Sequence, residues 1–61
     1  MAEVTGVLVE LVNGSTRTYP QGRSIDVDGY QDYRILDADG NLIATRRRST
    51  VETIELTYAG D

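Results

Sequence analysis

Arginine and tyrosine side chains carry the chemistry that stands out in this chain. Arg46, Arg47 and Arg48 are consecutive and make up half of the six basic residues. Tyr30 and Tyr33, two of the four tyrosines, precede them in the sequence. A guanidinium donates paired hydrogen bonds to carboxylate or phosphate groups, and a tyrosine ring stacks on a base or anchors a protein interface. These five residues are therefore the candidate partner-binding site.

Three roles for the arginine cluster are open at the level of sequence. It could bind phosphate groups, with the two tyrosines as stacking platforms on a small barrel. It could contact an acidic protein partner, since arginine is enriched at interface anchors. It could instead be the charged end of a strand, protecting that edge from aggregation and neutralised by nearby acidic residues (Asp32, Glu52 and Glu55).

Catalytic and metal-binding chemistry has little support. The chain has no His, Lys or Cys, the residues that most often act as bases and nucleophiles. Asp26 and Asp37 each begin a D-x-D-G segment, as calcium loops do, but neither is followed by the Glu that closes such a loop at its twelfth position. We read both segments as turns. We expect no enzyme activity, no metal site and no cofactor.

Length and charge restrict the protein further. The 61 residues form one domain, residues 1–61, whose core relies on 15 Val, Leu and Ile side chains with no Phe or Trp. Domains of this size are marginally stable on their own, which favours support from a second copy of the chain. The net charge of −4 weighs against binding DNA or RNA, because an acidic surface repels phosphate backbones.

The pattern of apolar residues is that of β-strands. Apolar and polar residues alternate, β-branched residues are frequent, and turn residues recur about every ten positions. This predicts an all-β fold of five or six short antiparallel strands in successive hairpins. The strands would form a small open barrel or a curved sheet completed by self-association, with a dimer favoured.

The first hairpin is centred on Asn13-Gly14, the strongest short-range hairpin signal. A two-residue loop would place Glu10 opposite Arg17 as an ion pair. It would also place Leu8 opposite Tyr19. Apolar residues would then lie on both faces of the first strand, so we expect that the rest of a small barrel or a second copy of the chain covers one of them.

The second hairpin turns at the segment DADGN, residues 37–41. The pattern fits a type I turn that begins at Asp37 and is followed by Gly40 in the left-handed conformation. The pairing that follows from this turn places Asp32 opposite Arg46. The arginine cluster would therefore have an acidic neighbour across the hairpin.

Two segments of the chain resemble a known group of proteins. The first is residues 9–19, which begin with VELVNG and end with a tyrosine, and the second is residues 33–45, YRILDADGNLIAT. Together they resemble small orphan acidic all-β proteins that are common in actinobacterial phages and other GC-rich genomes. The resemblance covers about half of the chain. It implies an accessory or host-interaction protein without known chemistry, and it carries no residue roles.

These observations favour a non-catalytic protein-interaction or assembly module, a phage or bacterial accessory protein that forms homo-oligomers and binds a protein partner. The alternative is a small nucleic-acid-binding β-barrel that uses the Arg46–Arg48 cluster. The first residues, MAEVTG, carry neither the basic nor the apolar segment of a signal peptide, and no apolar run is long enough to span a membrane. We therefore expect a cytoplasmic protein with no membrane partner.

Overall fold

The chain folds into an all-β domain, seen here in a computed structural model that describes residues 3–29 and 32–59. The prediction of an all-β fold with five or six short antiparallel strands is confirmed, and the number is six. In chain order the elements are β1 (Val4–Leu11), β2 (Thr16–Tyr19), β3 (Ser24–Val27), β4 (Asp32–Leu36), β5 (Leu42–Arg47), a 3₁₀ helix (Arg48–Thr50) and β6 (Val51–Tyr58).

The strands form two antiparallel sheets of three strands each. The first sheet has the order β2-β1-β6 and the second has the order β3-β4-β5. Hairpins join β1 to β2, β3 to β4, and β4 to β5, whereas β6 returns across the molecule to pair with β1. In the part of the chain that the structure describes, the two sheets do not close into a barrel.

The core lies between the two sheets and is small. Val7, Val9 and Ile35 are its buried centre, each with 1% or less of its surface exposed. Alternate residues of a strand point to opposite faces, so each sheet supplies one apolar face. The half-buried residues packed around this centre are Leu11, Tyr19, Ile25, Ala44, Val51, Ile54 and Leu56.

Gly22 marks the corner where the chain passes from the first sheet to the second. A Cβ atom at this position would lie 2.7 Å from Cγ2 of Val7 and 3.0 Å from Cγ2 of Ile35, too close for any larger residue without rearrangement. The Gly22 N–H donates to the Tyr19 carbonyl at 2.9 Å. The missing side chain therefore lets the backbone pass directly beside the core.

The first hairpin differs from the sequence prediction by one residue. The Leu11 N–H donates to the Ser15 carbonyl at 2.8 Å, and the Gly14 N–H donates to the Leu11 carbonyl at 3.0 Å. The loop therefore runs from Val12 to Gly14 and contains three residues. Gly14 has a φ of +92°, the left-handed conformation that follows the turn in loops of this length.

This shift changes the partners of β2, because a slip of one residue moves side chains to the other face of a sheet. Tyr19 lies opposite Val7 on the core face, so the predicted Leu8–Tyr19 pair is wrong. The predicted Glu10–Arg17 ion pair is also wrong, since Glu10 faces a threonine of β2. The observed register is favoured because it packs the large tyrosine ring against the core.

The turn of the second hairpin is confirmed. The Asp37 N–H donates to the Asn41 carbonyl at 2.9 Å, and the Gly40 N–H donates to the Asp37 carbonyl at 3.0 Å. Gly40 has a φ of +84°. The backbone hydrogen bonds follow the same pattern as those around Gly14, so both hairpins use one kind of loop.

The pairing beyond this turn is displaced by a β-bulge. Ile43 is an extra residue on β5, and as a result Asp32 lies opposite Arg47 while Tyr33 lies opposite Arg46. The predicted Asp32–Arg46 pairing is therefore wrong. Ile43 itself is 37% exposed.

A 3₁₀ helix, rather than a continued strand, connects β5 to β6. The Thr50 hydroxyl donates to the Arg47 carbonyl at 2.7 Å, and the Thr50 carbonyl accepts the Val12 N–H at 3.0 Å, which ties the helix to the first hairpin. Residues 3–29 and 32–59 contain no helix with the length and apolar character that crossing a bilayer requires.

Candidate protein-interaction site

The three arginines of the cluster have different environments, because β5 ends inside the cluster. Arg46 and Arg47 are its last residues, and Arg48 begins the 3₁₀ helix. Neighbouring strand residues point to opposite faces. Arg46 therefore points with Ala44 toward the core, whereas Arg47 points away from it.

Arg46 links the two sheets. Its Nε donates a hydrogen bond of 2.8 Å to the Tyr19 hydroxyl, and its guanidinium carbon lies 5.9 Å from the centre of the Tyr19 ring. A hydrogen bond of this kind contributes about 0.5–1.5 kcal/mol, and a cation over a ring adds about 0.5–1 kcal/mol at an exposed site. Both residues are half-buried. Arg46 thus has a structural partner within the chain.

Arg47 and Arg48 are exposed, and their guanidinium groups have no ion-pair partner among the described residues. The ion pair in this part of the chain joins Arg34 to Asp26 across β3 and β4, at 2.5 Å. Asp32 faces Arg47 without forming an ion pair with it. The strand-end role stays a prediction: β5 is an edge strand of its sheet, but among the described residues none of the expected acids forms an ion pair with the cluster.

The other two acids expected to neutralise the cluster also make no ion pair with it. Glu55 lies opposite Leu8, on the face of the first sheet that points away from the core. Glu52 is an exposed residue near the start of β6. Their carboxylates lie more than 4 Å from any described guanidinium nitrogen, so they leave the positive charge of Arg47 and Arg48 available.

Of the two tyrosines of the predicted site, the one that the structure describes is not an exposed stacking platform. Tyr30 lies outside the described residues. Tyr33 is half-buried, with Val27 on one side and Arg46 on the other. Tyr58 is 54% exposed, but it ends β6 roughly 23 Å along the strand from the 3₁₀ helix, at about 3.3 Å per residue.

The hairpin register predicted from the sequence misplaces two residues near the cluster. Tyr19 was assigned to the wrong face, and only the packing of its ring against the core corrects this. Val12 was expected in a strand, but it lies in the loop with 60% of its surface exposed, and its N–H bonds to Thr50. We call the exposed group of Arg47, Arg48 and Val12 the arginine end.

A shallow depression lies at the opposite end of the first sheet and has a volume of about 160 Å³. Small-molecule sites usually enclose roughly 300–1,000 Å³ and hold a few convergent polar groups. This depression is open and mainly apolar, and the polar side-chain groups that line it are hydroxyls, without a carboxylate or guanidinium. Its lining includes Thr5, Gly6, Thr18, Tyr19, Pro20 and Thr57.

The first carboxylate of each D-x-D-G segment serves the fold. Asp26 pairs with Arg34, and Oδ1 of Asp37 accepts the backbone N–H groups of Asp39 and Asn41, both at 2.9 Å. Within residues 3–29 and 32–59, no three acidic side chains come together in a group that could hold a metal ion. These aspartates stabilise a strand pair and a turn.

Comparison of the chain with protein-family models, curated proteins and solved structures finds no match. The resemblance to small acidic phage proteins stays a prediction. The arginine end, with its unpaired charge beside an exposed valine, is the surface of the described residues that best fits a binding role.

Proposed function

We propose that this chain is a non-catalytic protein-interaction module that binds an acidic segment of a protein partner through Arg47 and Arg48. One observation carries the proposal: both guanidinium groups are exposed and have no carboxylate within 4 Å among the described residues. In a chain with a net charge of −4, these two neighbouring guanidinium groups form a local basic surface.

The chemistry of the arginine end suits a carboxylate-bearing peptide. A guanidinium and a carboxylate form two parallel hydrogen bonds, stronger and more directional than a single charge contact. Val12 adds an exposed apolar surface beside the helix, and its N–H bond to Thr50 holds it there. A charged rim next to an apolar contact is the usual composition of a protein interface.

The same features favour a protein over a nucleic acid. Nucleic-acid-binding domains are generally basic, whereas this chain has a pI near 4.5. Single-strand binding also relies on exposed rings that stack on bases. The Tyr19 hydroxyl accepts a hydrogen bond from Arg46, and Tyr33 is half-buried. Two free guanidinium groups would make few phosphate contacts.

The biological setting of the proposal follows from the sequence. The resemblance to small acidic proteins of phages and GC-rich genomes supports an accessory role, in which the module attaches one protein to another.

A binding measurement with a matched pair of variants tests the proposal. The probe is a fluorescein-labelled peptide of glutamates and leucines, followed by fluorescence anisotropy near physiological salt. Arg48→Glu should weaken binding about tenfold or more, because it places like charges against each other. Arg17→Glu makes the same charge change at an exposed residue of β2, two strands away from β6, and should change binding less than about twofold.

The outcomes separate the two candidate partners. Equal losses in both variants would mean that net charge alone drives binding and would contradict the proposal. Tighter binding of a single-stranded thymidine oligonucleotide than of the peptide, with a steep loss as salt rises, would favour the nucleic-acid alternative. Failure of the unmodified chain to bind the peptide would contradict the proposal that the arginine end binds acidic protein segments.

A further inference from the structure

A second exposed group lies at the turn of the β4–β5 hairpin. Asp37 and Asp39 lie in the turn, and Leu42 and Ile43 begin β5 with 58% and 37% of their surfaces exposed. Asp39 is exposed, whereas Asp37 is half-buried and its Oδ1 accepts the N–H groups of Asp39 and Asn41. We call these four residues the acidic end. It has an opposite charge to the arginine end and a similar exposed aliphatic surface.

The two ends cannot meet within one molecule. β5 begins at Leu42 and ends at Arg47, so they lie at opposite ends of this strand, roughly 17 Å apart at about 3.3 Å per residue. Each end therefore presents its charge and its aliphatic groups to the surroundings.

We propose that the acidic end of one copy binds the arginine end of the next copy, so that the chain associates head to tail. This inference rests on the proposed function and names the acidic segment as the β4–β5 turn of a second copy. The carboxylate of Asp39 would face the guanidinium groups of Arg47 and Arg48. Leu42 and Ile43 would cover Val12.

The apolar part of this contact accounts for most of the exposed aliphatic surface. Five large hydrophobic residues are exposed in the described part of the chain, and three of them, Val12, Leu42 and Ile43, lie at the two ends. A protein with only three buried core residues gains stability when such groups leave water. Charge sets the orientation, since arginine end against arginine end would be repulsive.

The geometry determines the kind of oligomer. A contact between two different surfaces is heterologous, and a pair of copies joined in this way keeps one free acidic end and one free arginine end. Such contacts build rings if the rotation closes and open chains if it does not. Head-to-tail binding therefore differs from the dimer favoured by the sequence, in which one surface meets itself.

Sedimentation velocity of the whole chain across a concentration series tests the inference. The mass should rise above 6.7 kDa with concentration and fall when salt increases from about 0.05 M to about 0.5 M, because exposed charges are screened. Arg48→Glu alone and Asp39→Arg alone should each weaken association about tenfold or more. Arg17→Glu and Glu3→Arg, both at exposed positions, are the matched controls and should leave association unchanged.

Mixing the two variants gives the decisive result. The mixture contains the unchanged acidic end of one variant and the unchanged arginine end of the other, so association should return. Failure of the mixture to associate would overturn head-to-tail binding. A chain that stays at 6.7 kDa but still binds the glutamate-leucine peptide through Arg48 would overturn this inference and leave the proposed function standing. A chain that does neither would overturn both.

Discussion

Arg46 and Arg48 are two residues apart and have different roles, which sequence alone does not separate. The Nε of Arg46 is bonded to the Tyr19 hydroxyl, whereas Arg48 is exposed at the start of the 3₁₀ helix. The sequence could identify the cluster as unusual. It could not identify Tyr19 as a partner, because the two residues are 27 positions apart and meet only when the sheets pack.

The Tyr19–Arg46 contact predicts a measurable effect on stability. Tyr19→Phe keeps the ring but removes the hydroxyl acceptor, and should lower the free energy of unfolding by about 0.5–1.5 kcal/mol. Tyr58→Phe is the matched control, because the Tyr58 hydroxyl has no partner among the described residues, and should change it by less than about 0.5 kcal/mol. Urea denaturation measures both. Equal effects would show that the contact does not stabilise the domain.

The two hairpins show what can be predicted at the level of elements. The alternation of apolar and polar residues, together with the turn residues, predicted the strands. The DADGN pattern predicted the loop of the second hairpin. The Asn13-Gly14 pair fits both a two-residue and a three-residue loop. The choice depends on whether Tyr19 packs on the core, a long-range contact that no local pattern contains. The bulge at Ile43 has the same kind of cause, and it moved Asp32 from Arg46 to Arg47.

The left-handed conformation of Gly14 predicts how far different substitutions at this position lower the stability of the domain. Its φ is +92° and no atom lies within 4 Å of a Cβ built there, so the cost of a substitution comes from the backbone alone. Gly14→Val should cost about 1–2 kcal/mol or more, and Gly14→Asn should cost less, because Asn tolerates this conformation better. Each kcal/mol lowers Tm by about 4–8 °C in a domain of this size. Equal Tm values for the Gly14→Val and Gly14→Asn variants would contradict the left-handed conformation of Gly14 in this loop.

At the scale of the whole molecule, the small core and the pairing of first and last strands decide stability. The pairing of β1 with β6 joins residues about 50 positions apart, for example Val7 with Leu56, and so has no local sequence signal. Among the described residues, Val7, Val9 and Ile35 are the only buried hydrophobic side chains. Typical stabilities of about 0.05–0.15 kcal/mol per residue amount to roughly 3–9 kcal/mol for 61 residues.

The position of the core therefore predicts that truncating a buried isoleucine costs much more stability than truncating an exposed one. Ile35→Ala should cost about 2–5 kcal/mol, enough to unfold much of the population if total stability is at the low end of the expected range. Ile43→Ala removes the same atoms from an exposed position of the bulge and should cost less than about 1 kcal/mol. Circular dichroism during urea denaturation compares them. Similar midpoints for both variants would contradict the placement of the core.

The central claim is that the arginine end binds acidic protein segments, and amide chemical shifts measured by nuclear magnetic resonance test it most directly. Adding the glutamate-leucine peptide to the labelled chain should shift the amide signals of Arg47, Arg48 and Val12 progressively. Those of Arg17 and Tyr58 should change little. Shifts spread evenly over the domain, or centred on Tyr58, would contradict the account.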